Sequence, residues 1–353
     1  MECTGATHGI DGAFSTGPPE RSARRVVFVN PLVTLGLSTV GQDLARFEPL
    51  LAESVVIGDS YLDQVTTHLI SAGGKRLRPL LAIASATGGE HEASENDLLG
   101  GIAIELLHLA SLYHDDVMDE AEIRRNVDSV NARFGNVVAI VAGDYLMARS
   151  AAIAAELGTE VASLLARTLA SLTRGQVSEV RTAYNPARTV EDYFEAIGGK
   201  TASLMATSCR VGALTAGRPL DVADALTAFG HAFGMVFQIR DDVLDLIAVD
   251  GQLGKPFGQD LGEGVYTLPV LVALDDPSVG GELRAMLGQP LEEPEREKAR
   301  SLVSTTNGVE VALNEGARWA ATAHEALAGV PEPRLRDGFG ALVESLLTEV
   351  HAI

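Results

Sequence analysis

From Gln42 onward, apolar residues recur at three- and four-residue spacing with few interruptions. The pattern predicts helices over residues 43–57, 59–72, 77–87, 95–120, 128–135, 137–157 and 159–182. It continues over 189–197, 200–216, 220–249, 264–275, 281–287, 293–306, 308–328 and 332–351. Helix-breaking residues fall between these segments: Gly73-Gly74, Gly88-Gly89, Gly158, Asn185-Pro186, Gly198-Gly199, Gly217 with Pro219, and Gly329 to Pro333. Outside residues 25–29 no alternating pattern of strand length occurs, and no Gly-x-Gly-x-x-Gly follows a strand. The expected fold class is all-α, a single large bundle of long helices over residues 39–353. Residues 1–38 are rich in Gly, Ser, Thr and Pro without a sustained period, and read as a flexible extension.

Composition narrows the classes of function. Hydrophobic residues make up 46% of the 353-residue chain and aromatics only 5%, so the core is built from Ala, Leu, Val and Ile. Forty-eight acidic against 27 basic residues give a net charge of −21, which argues against nucleic acid or an anionic lipid surface as a bulk partner. Cys3 and Cys209 support neither a disulfide framework nor a Cys-based zinc site, so a reducing cytoplasm is expected. The apolar runs 26–40 and 137–155 are interrupted by Asn30-Pro31 and by Asp144 and Arg149, and read as soluble segments with no transmembrane span.

Two acidic clusters stand out against this background. Asp115, Asp116 and Asp119 follow the apolar stretch Ile102–Tyr113, and Asp241, Asp242 and Asp245 repeat the same spacing after Leu226–Ile239. In each, the first and third carboxylates share a helix face. A lone Asp-Asp-x-x-Asp in an acidic protein reads as a solvated helix end. Two matched copies, with apolar Val117-Met118 and Val243-Leu244 in the gaps, favour hard cations bridging carboxylates to phosphate. The densest basic stretch, Gly73-Gly74-Lys75-Arg76-Leu77-Arg78-Pro79, sits at a helix start, where the macrodipole disfavours cations, so an anion is the expected partner. Arg124-Arg125 lies five residues after the first cluster, close enough to reach the same phosphates.

With these residues in place, the chain resembles the trans-isoprenyl diphosphate synthases, the polyprenyl synthetase family, from about residue 42 to the C-terminus. The resemblance rests on GGKRLRP at 73–79, ELLHLASLYHDDVMD at 105–119, RR at 124–125, FG at 134–135, GDYLMA at 143–148, GKTASLM at 199–205, FQIRDDVLD at 237–245 and GKPFGQDLGEGVYTLP at 254–269. It implies helices packed around a central cavity, the isoprenoid synthase fold, and Mg²⁺-dependent head-to-tail condensation of isopentenyl diphosphate with an allylic diphosphate. Three Mg²⁺ ions with substrate bound and a homodimer are implied as well. Lys75, Arg78, His108, Arg125 and Arg76 are then expected to hold the isopentenyl diphosphate, and Arg124, Lys200 and Lys255 the allylic one. Thr201 and Gln238 are expected to face the allylic cation, with Lys200 beside them in catalysis, and Asp260 to support the second metal cluster. His108 alone would read as a core histidine, Thr201 and Gln238 as ordinary buried polar groups, and His114 as structural.

There are two departures from the family pattern. After Arg124-Arg125 the family commonly runs Gly-x-Pro-Thr, whereas this chain has Asn126-Val127-Asp128-Ser129, and it ends His-Ala-Ile without a basic tail.

Product length is expected to be read along the first acidic helix, where one turn rises about 5.4 Å, comparable to one five-carbon unit. Ser111, Ala110 and Leu107 stand four, five and eight residues before Asp115 and gate successive additions; both nearer residues are small, as in long-chain synthases that make quinone side chains. Helix phase turns Tyr113 off that face, and Leu106, Leu107 and Met147 are candidate deeper floors. The alternatives are a geranylgeranyl or farnesyl diphosphate synthase, or a non-catalytic subunit of a heteromeric synthase. The intact Asp and Lys/Arg motifs disfavour the last. A terpene cyclase is disfavoured by GGKRLRP, which serves a second diphosphate. A cytoplasmic location with transient membrane contact for product release completes the expectation.

Overall fold

The computed structural model describes residues 30–247 and 258–351. Helices make up about three-quarters of the described residues, with one two-stranded hairpin, Ile123–Arg124 against Val127–Asp128. Helices Leu77–Thr87 and Thr159–Thr182 span the residues their spacing predicts. Glu95–Met118 ends two residues early, and Leu220–Ile247 is helical to the limit of the described residues. The first acidic helix opens on a capping box: Ser94 Oγ accepts from Asp97 N–H, and the Asp97 carboxylate takes the Ser94 N–H at 2.9 Å.

The long Leu220–Ile247 helix is the hub, packed by Ser203–Thr215, Gly308–Leu327 and Pro333–His351. Its first half contributes Phe229, Phe233 and Val236 to the large core that encloses the first acidic helix. Its second half contributes Ile239, Val243 and Leu246 to a smaller core with Tyr193, Leu268 and Leu283. The second acidic cluster therefore sits on the half of the helix that packs into the smaller core. The Glu95–Met118 helix runs between Leu77–Thr87, Asn136–Glu156 and Ser203–Thr215.

Three local features differ from the sequence expectation. Residues 31–35, inside the stretch assigned to the extension, form a helix capped by Asn30 and packed on Pro333–His351; residues 1–29 and the strand-like run 25–29 lie outside the described residues. The 59–72 segment divides into Ser60–Thr66 and His68–Ser71 around Thr67. Gly198-Gly199 does not end a helix. The chain continues through a π-turn, Gly198–Ala202, into Ser203–Thr215. Such wide turns recur at functional sites because they re-aim side chains without breaking the helix.

Glycine makes that turn fit. A Cβ on Gly175, in the facing Thr159–Thr182 helix, would lie 2.6 Å from Lys200 N and 2.8 Å from Ala196 O. Backbone thus meets backbone, and Lys200 is delivered beside the residues of that facing helix. Gly175→Ala is expected to lower stability by about 1–3 kcal/mol through overpacking. Gly281→Ala, whose Cβ would meet nothing within 4 Å, should stay within about 0.5 kcal/mol of the parent. Thermal denaturation of the two variants tests this; equal midpoints would show that the close approach is not needed.

Candidate active site

Both acidic clusters lie in the last turns of their helices. Asp115 and Asp116 end Glu95–Met118, Asp119 is its C-cap, and Asp241, Asp242 and Asp245 end Leu220–Ile247. Negative side chains at the negative end of a helix dipole are doubly unfavourable, and cations relieve both terms. Burial raises the carboxyls of Asp115 and Asp119, only partly offset by Lys200, and pushes Asp119 up to about 6. Asp116 is fully buried and accepts from Arg124 Nε at 2.7 Å through Oδ1, while its Oδ2 has no hydrogen-bond partner.

These features fit a hard divalent cation: all-oxygen donors, protonation-prone carboxylates and one orphaned buried oxygen. Among the described residues no three such side chains converge on one point, so substrate oxygens are needed to complete a coordination shell.

Lys200 and Glu179 join the two clusters. Lys200 Nζ donates to Glu179 Oε1 at 2.6 Å. Burial opposes the ammonium's charge, but Glu179, Asp115 and Asp119 outweigh it and hold Lys200 above its usual range. Glu179 also acts on Asp242. Sequence reading missed Glu179; the signal was its place four residues after Gly175, on the face that meets the π-turn. Arg240 pairs with Asp241 and with Glu349 of the C-terminal helix, a second pairing that helix periodicity alone could not reveal.

In the second cluster Asp242 and Asp245 are both buried, and Asp242 is held by two neighbouring side chains. Tyr193 Oη donates to its Oδ2 at 2.6 Å and Gln238 Nε2 to its Oδ1 at 2.8 Å. Burial raises its carboxyl, and the same burial holds the Tyr193 phenol protonated. Thr201 Oγ1 donates to Gln238 Oε1 at 2.7 Å. Asp245 Oδ2 accepts from the Asp260 N–H at 3.2 Å, so Asp260 supports the cluster through its backbone. Lys255 lies outside the described residues.

The basic residues gather around His108, two turns before the acidic cluster on the same helix. Arg78 Nη1 lies 3.1 Å from His108 Nε2. Burial and then Arg78, Arg125, Arg124 and Arg76 hold the His108 imidazole well below its usual range. Neutral His108 therefore accepts from Arg78, whose Nε is buried without a partner. Buried Glu105 balances the group, 3.0 Å from Arg76 Nη1 and 3.8 Å from Arg125 Nη2. Lys75 is exposed and within electrostatic reach of Arg240 and Asp241.

Arg76 departs from expectation. Nε donates to Glu48 at 2.7 Å, Nη1 to Glu105 and Gly73 O, and Nη2 to Glu48 and Ile70 O. All five guanidinium N–H groups are thereby used, and none is left for a diphosphate. Arg76 fixes the glycine turn instead.

The Asn126 departure is resolved by the hairpin. Arg125 and Asn126 are its two loop residues, with φ of 54° and 62°, the pair of positive values a type I′ turn demands. Asn tolerates that region where the family has Gly. The strained Arg125 is held by Leu69 O, Gly73 O and Glu105, with its guanidinium against Gly74, where a Cβ would come within 3.1 Å.

On the remaining face of the first acidic helix, Leu107 and Ala110 are buried and Ser111 is half-buried, its Oγ donating to His108 O. Tyr113 points away, donating to Val65 O at 2.7 Å. His114 Nε2 meets Ile140 O, and Ser150 Oγ donates to Ala103 O, so the antiparallel Asn136–Glu156 helix passes with Leu146 and Met147 level with Leu106 and Leu107. Leu106 is buried in the same core.

A group whose folded pKa is lowered below its unfolded 6.5 costs stability as pH falls through 6.5, because only the unfolded chain takes the proton. His108→Gln keeps an acceptor for Arg78 but removes that proton. Its stability should fall less steeply than the parent's from pH 6.5 to 5, by up to about 1.4 kcal/mol per pH unit. Parallel pH profiles in thermal denaturation would show His108 to be charged in the fold.

Comparison with known proteins agrees with this geometry. The sequence model of the polyprenyl synthetase family matches residues 59–305. The nonaprenyl diphosphate synthase of Mycobacterium tuberculosis is 37% identical over 87% of this chain and 92% of its own length. Heptaprenyl diphosphate synthase component 2 of Geobacillus stearothermophilus is 38% identical over 83% and 92%. The decaprenyl diphosphate synthase of Rhodobacter capsulatus superposes with a TM-score of 0.81 at 33% identity, covering 89% of this chain and 98% of its own. The polyprenyl synthase of Caulobacter crescentus, complexed with calcium and isoprenyl diphosphate, superposes at 0.83 with 29% identity, covering 92% and 99%. With the family match spanning most of the chain and relatives covered over most of their length, the protein belongs to the polyprenyl synthetase family and is a prenyltransferase.

Proposed function

We propose that the enzyme condenses isopentenyl diphosphate with an allylic diphosphate into a long-chain all-trans polyprenyl diphosphate, of the kind attached to quinones. The observation that carries this is the division of one helix. Glu95–Met118 ends in carboxylates that call for cations and, two turns earlier, carries His108 among four guanidinium groups that call for an anion. Two diphosphates, one metal-bound and one held by basic side chains, fit that division.

Asp115, Asp116, Asp119, Asp241 and Asp245 would hold Mg²⁺, with three ions the expected number; Asp242, expected among the ligands from the sequence, is instead turned to Tyr193 and Gln238 and stands behind them. Bound there, Mg²⁺ supplies Lewis-acid stabilisation of the charge on the departing diphosphate. Arg124, Lys200 and Lys255 grip that diphosphate as its C–O bond breaks, and their fixed charges favour the separated state. Gln238 and Thr201 present oxygens to the allylic cation in a site closed to water. Lys75, Arg78, Arg125 and His108 hold isopentenyl diphosphate so that its double bond attacks the cation. A new C–C bond forms, and the proton released goes to the bound diphosphate, since among the described residues no side chain is placed as a base.

Leu107, Ala110 and Ser111, with Met147 opposite, form the wall the product grows along. We read the enzyme as a cytoplasmic homodimer with transient membrane contact for product release. The exposed Val137, Ile140 and Val141 on Asn136–Glu156 support a pairing face. That helix and Leu220–Ile247 are long and apolar enough to cross a membrane, yet 61% of the apolar window of Leu220–Ile247 is buried in the fold. A second reading, that the chain works only with a partner subunit, is favoured by its similarity to a protein named as component 2 of a synthase.

Purified protein alone, with labelled isopentenyl diphosphate, an allylic primer and Mg²⁺, should give products longer than geranylgeranyl diphosphate. Activity that needs an added subunit would favour the second reading, and a product of 20 carbons or fewer would overturn the long-chain assignment. Ala110→Phe and Ser111→Phe should shorten the product by mass analysis. An unchanged length distribution would place the channel elsewhere.

A further inference from the structure

Resting on the assignment of Gln238 to the allylic cation, we infer that Tyr193 is a positioning residue that fixes, through Asp242, which end of the Gln238 amide faces the reacting carbon. A glutamine amide is nearly symmetric in shape but opposite in charge at its two ends. Its oxygen stabilises a neighbouring carbocation, and its NH₂ opposes one. Something in the fold has to choose between them.

The choice is made by a row of four groups. Ionised Asp242 is an acceptor only, so the Gln238 end facing its Oδ1 at 2.8 Å is Nε2. The amide oxygen is thereby turned to the opposite side, where it accepts from Thr201 Oγ1 at 2.7 Å. Asp242 can orient the amide only if its own carboxylate is held, and Tyr193 Oη holds the other oxygen at 2.6 Å. Tyr193 has little freedom of its own. It is 1% exposed, edge-on to Phe194 at 5.2 Å, with the Arg188 guanidinium 5.8 Å over its ring. Its helix, Val190–Ile197, begins in the Thr189/Asp192 capping box. The helix leads into the π-turn that carries Thr201. One rigid unit therefore holds both ends of the row, with Asp242 and Gln238 on the long helix between them.

Removing the hydroxyl frees the Asp242 carboxylate to rotate toward Asp241 and Asp245, and the amide loses the partner that orients it. Arg78, Arg125 and His108, assigned to isopentenyl diphosphate, make their hydrogen bonds to groups outside this row. Tyr193→Phe keeps the buried ring and should lower kcat by about 10- to 100-fold, the usual cost of losing an outer hydrogen-bond partner of a site carboxylate. KM for isopentenyl diphosphate should not change.

The test pairs that variant with Gln238→Ala and the double variant, measuring kcat and both KM values in the full chain, beside a crystal structure of Tyr193→Phe. If Tyr193 acts through Gln238, the double variant is no slower than Gln238→Ala alone. The crystal structure then shows Gln238 parted from Asp242 or Thr201. Losses that multiply, or an amide and carboxylate that stay in place, would overturn the positioning role. Full activity in Gln238→Ala would remove the assignment of Gln238 and the inference with it. Absence of condensation by the parent chain would count against the proposed function, and the crystal structure would still decide the positioning.

Discussion

Six aspartates crowded at the C-terminal ends of two helices, partly out of water, form an arrangement that repels itself. Their mutual repulsion, the adverse helix dipoles and the loss of hydration all act in one direction. Much of the surrounding structure answers that strain. Arg124 reaches back from the hairpin to Asp116, Lys200 is swung in by the π-turn, and Arg240 sits against Asp241. These contacts hold the carboxylates apart, but do not neutralise them, which leaves the site with an affinity for further cations.

The basic side depends on one buried carboxylate. Glu105 lies on the same helix as the first acidic cluster and is the counter-charge for Arg76 and Arg125, with Arg78 within its field. It permits several guanidinium groups to gather around His108 without a ligand. Arg76 is saturated by protein acceptors and locks the glycine turn, whereas Arg78 keeps a buried Nε unused. Adjacent arginines thus do different work: one builds the loop and one faces the space the loop encloses.

The sequence alone determined much of this protein. Apolar spacing located the long helices, because a 3.6-residue period is a local property that packing has only to accept. Residue type and order likewise identified both acidic clusters, the glycine-rich basic turn and the small residues before Asp115. Chemistry of that kind is carried by side chains at fixed offsets along one helix.

What only the tertiary structure decided are pairings between distant segments. Nothing in the spacing distinguishes Arg76 from Arg78; Glu48, Glu105 and the carbonyls of Ile70 and Gly73 do so, by filling every donor of the first. Glycines 198 and 199 read as a break because glycine is a poor helix former. The backbone of Gly175 is close enough to make them a wide turn instead. Asn126 takes the left-handed position of a two-residue hairpin whose strands are too short to show in the pattern. Glu179, Tyr193 and Glu349 acquire their importance only from what lies opposite, at sequence separations of 21, 49 and 109 residues. The aspartates at the helix ends were visible from the start, but whether each faces cation, arginine or tyrosine depended on contacts that a one-dimensional pattern does not contain.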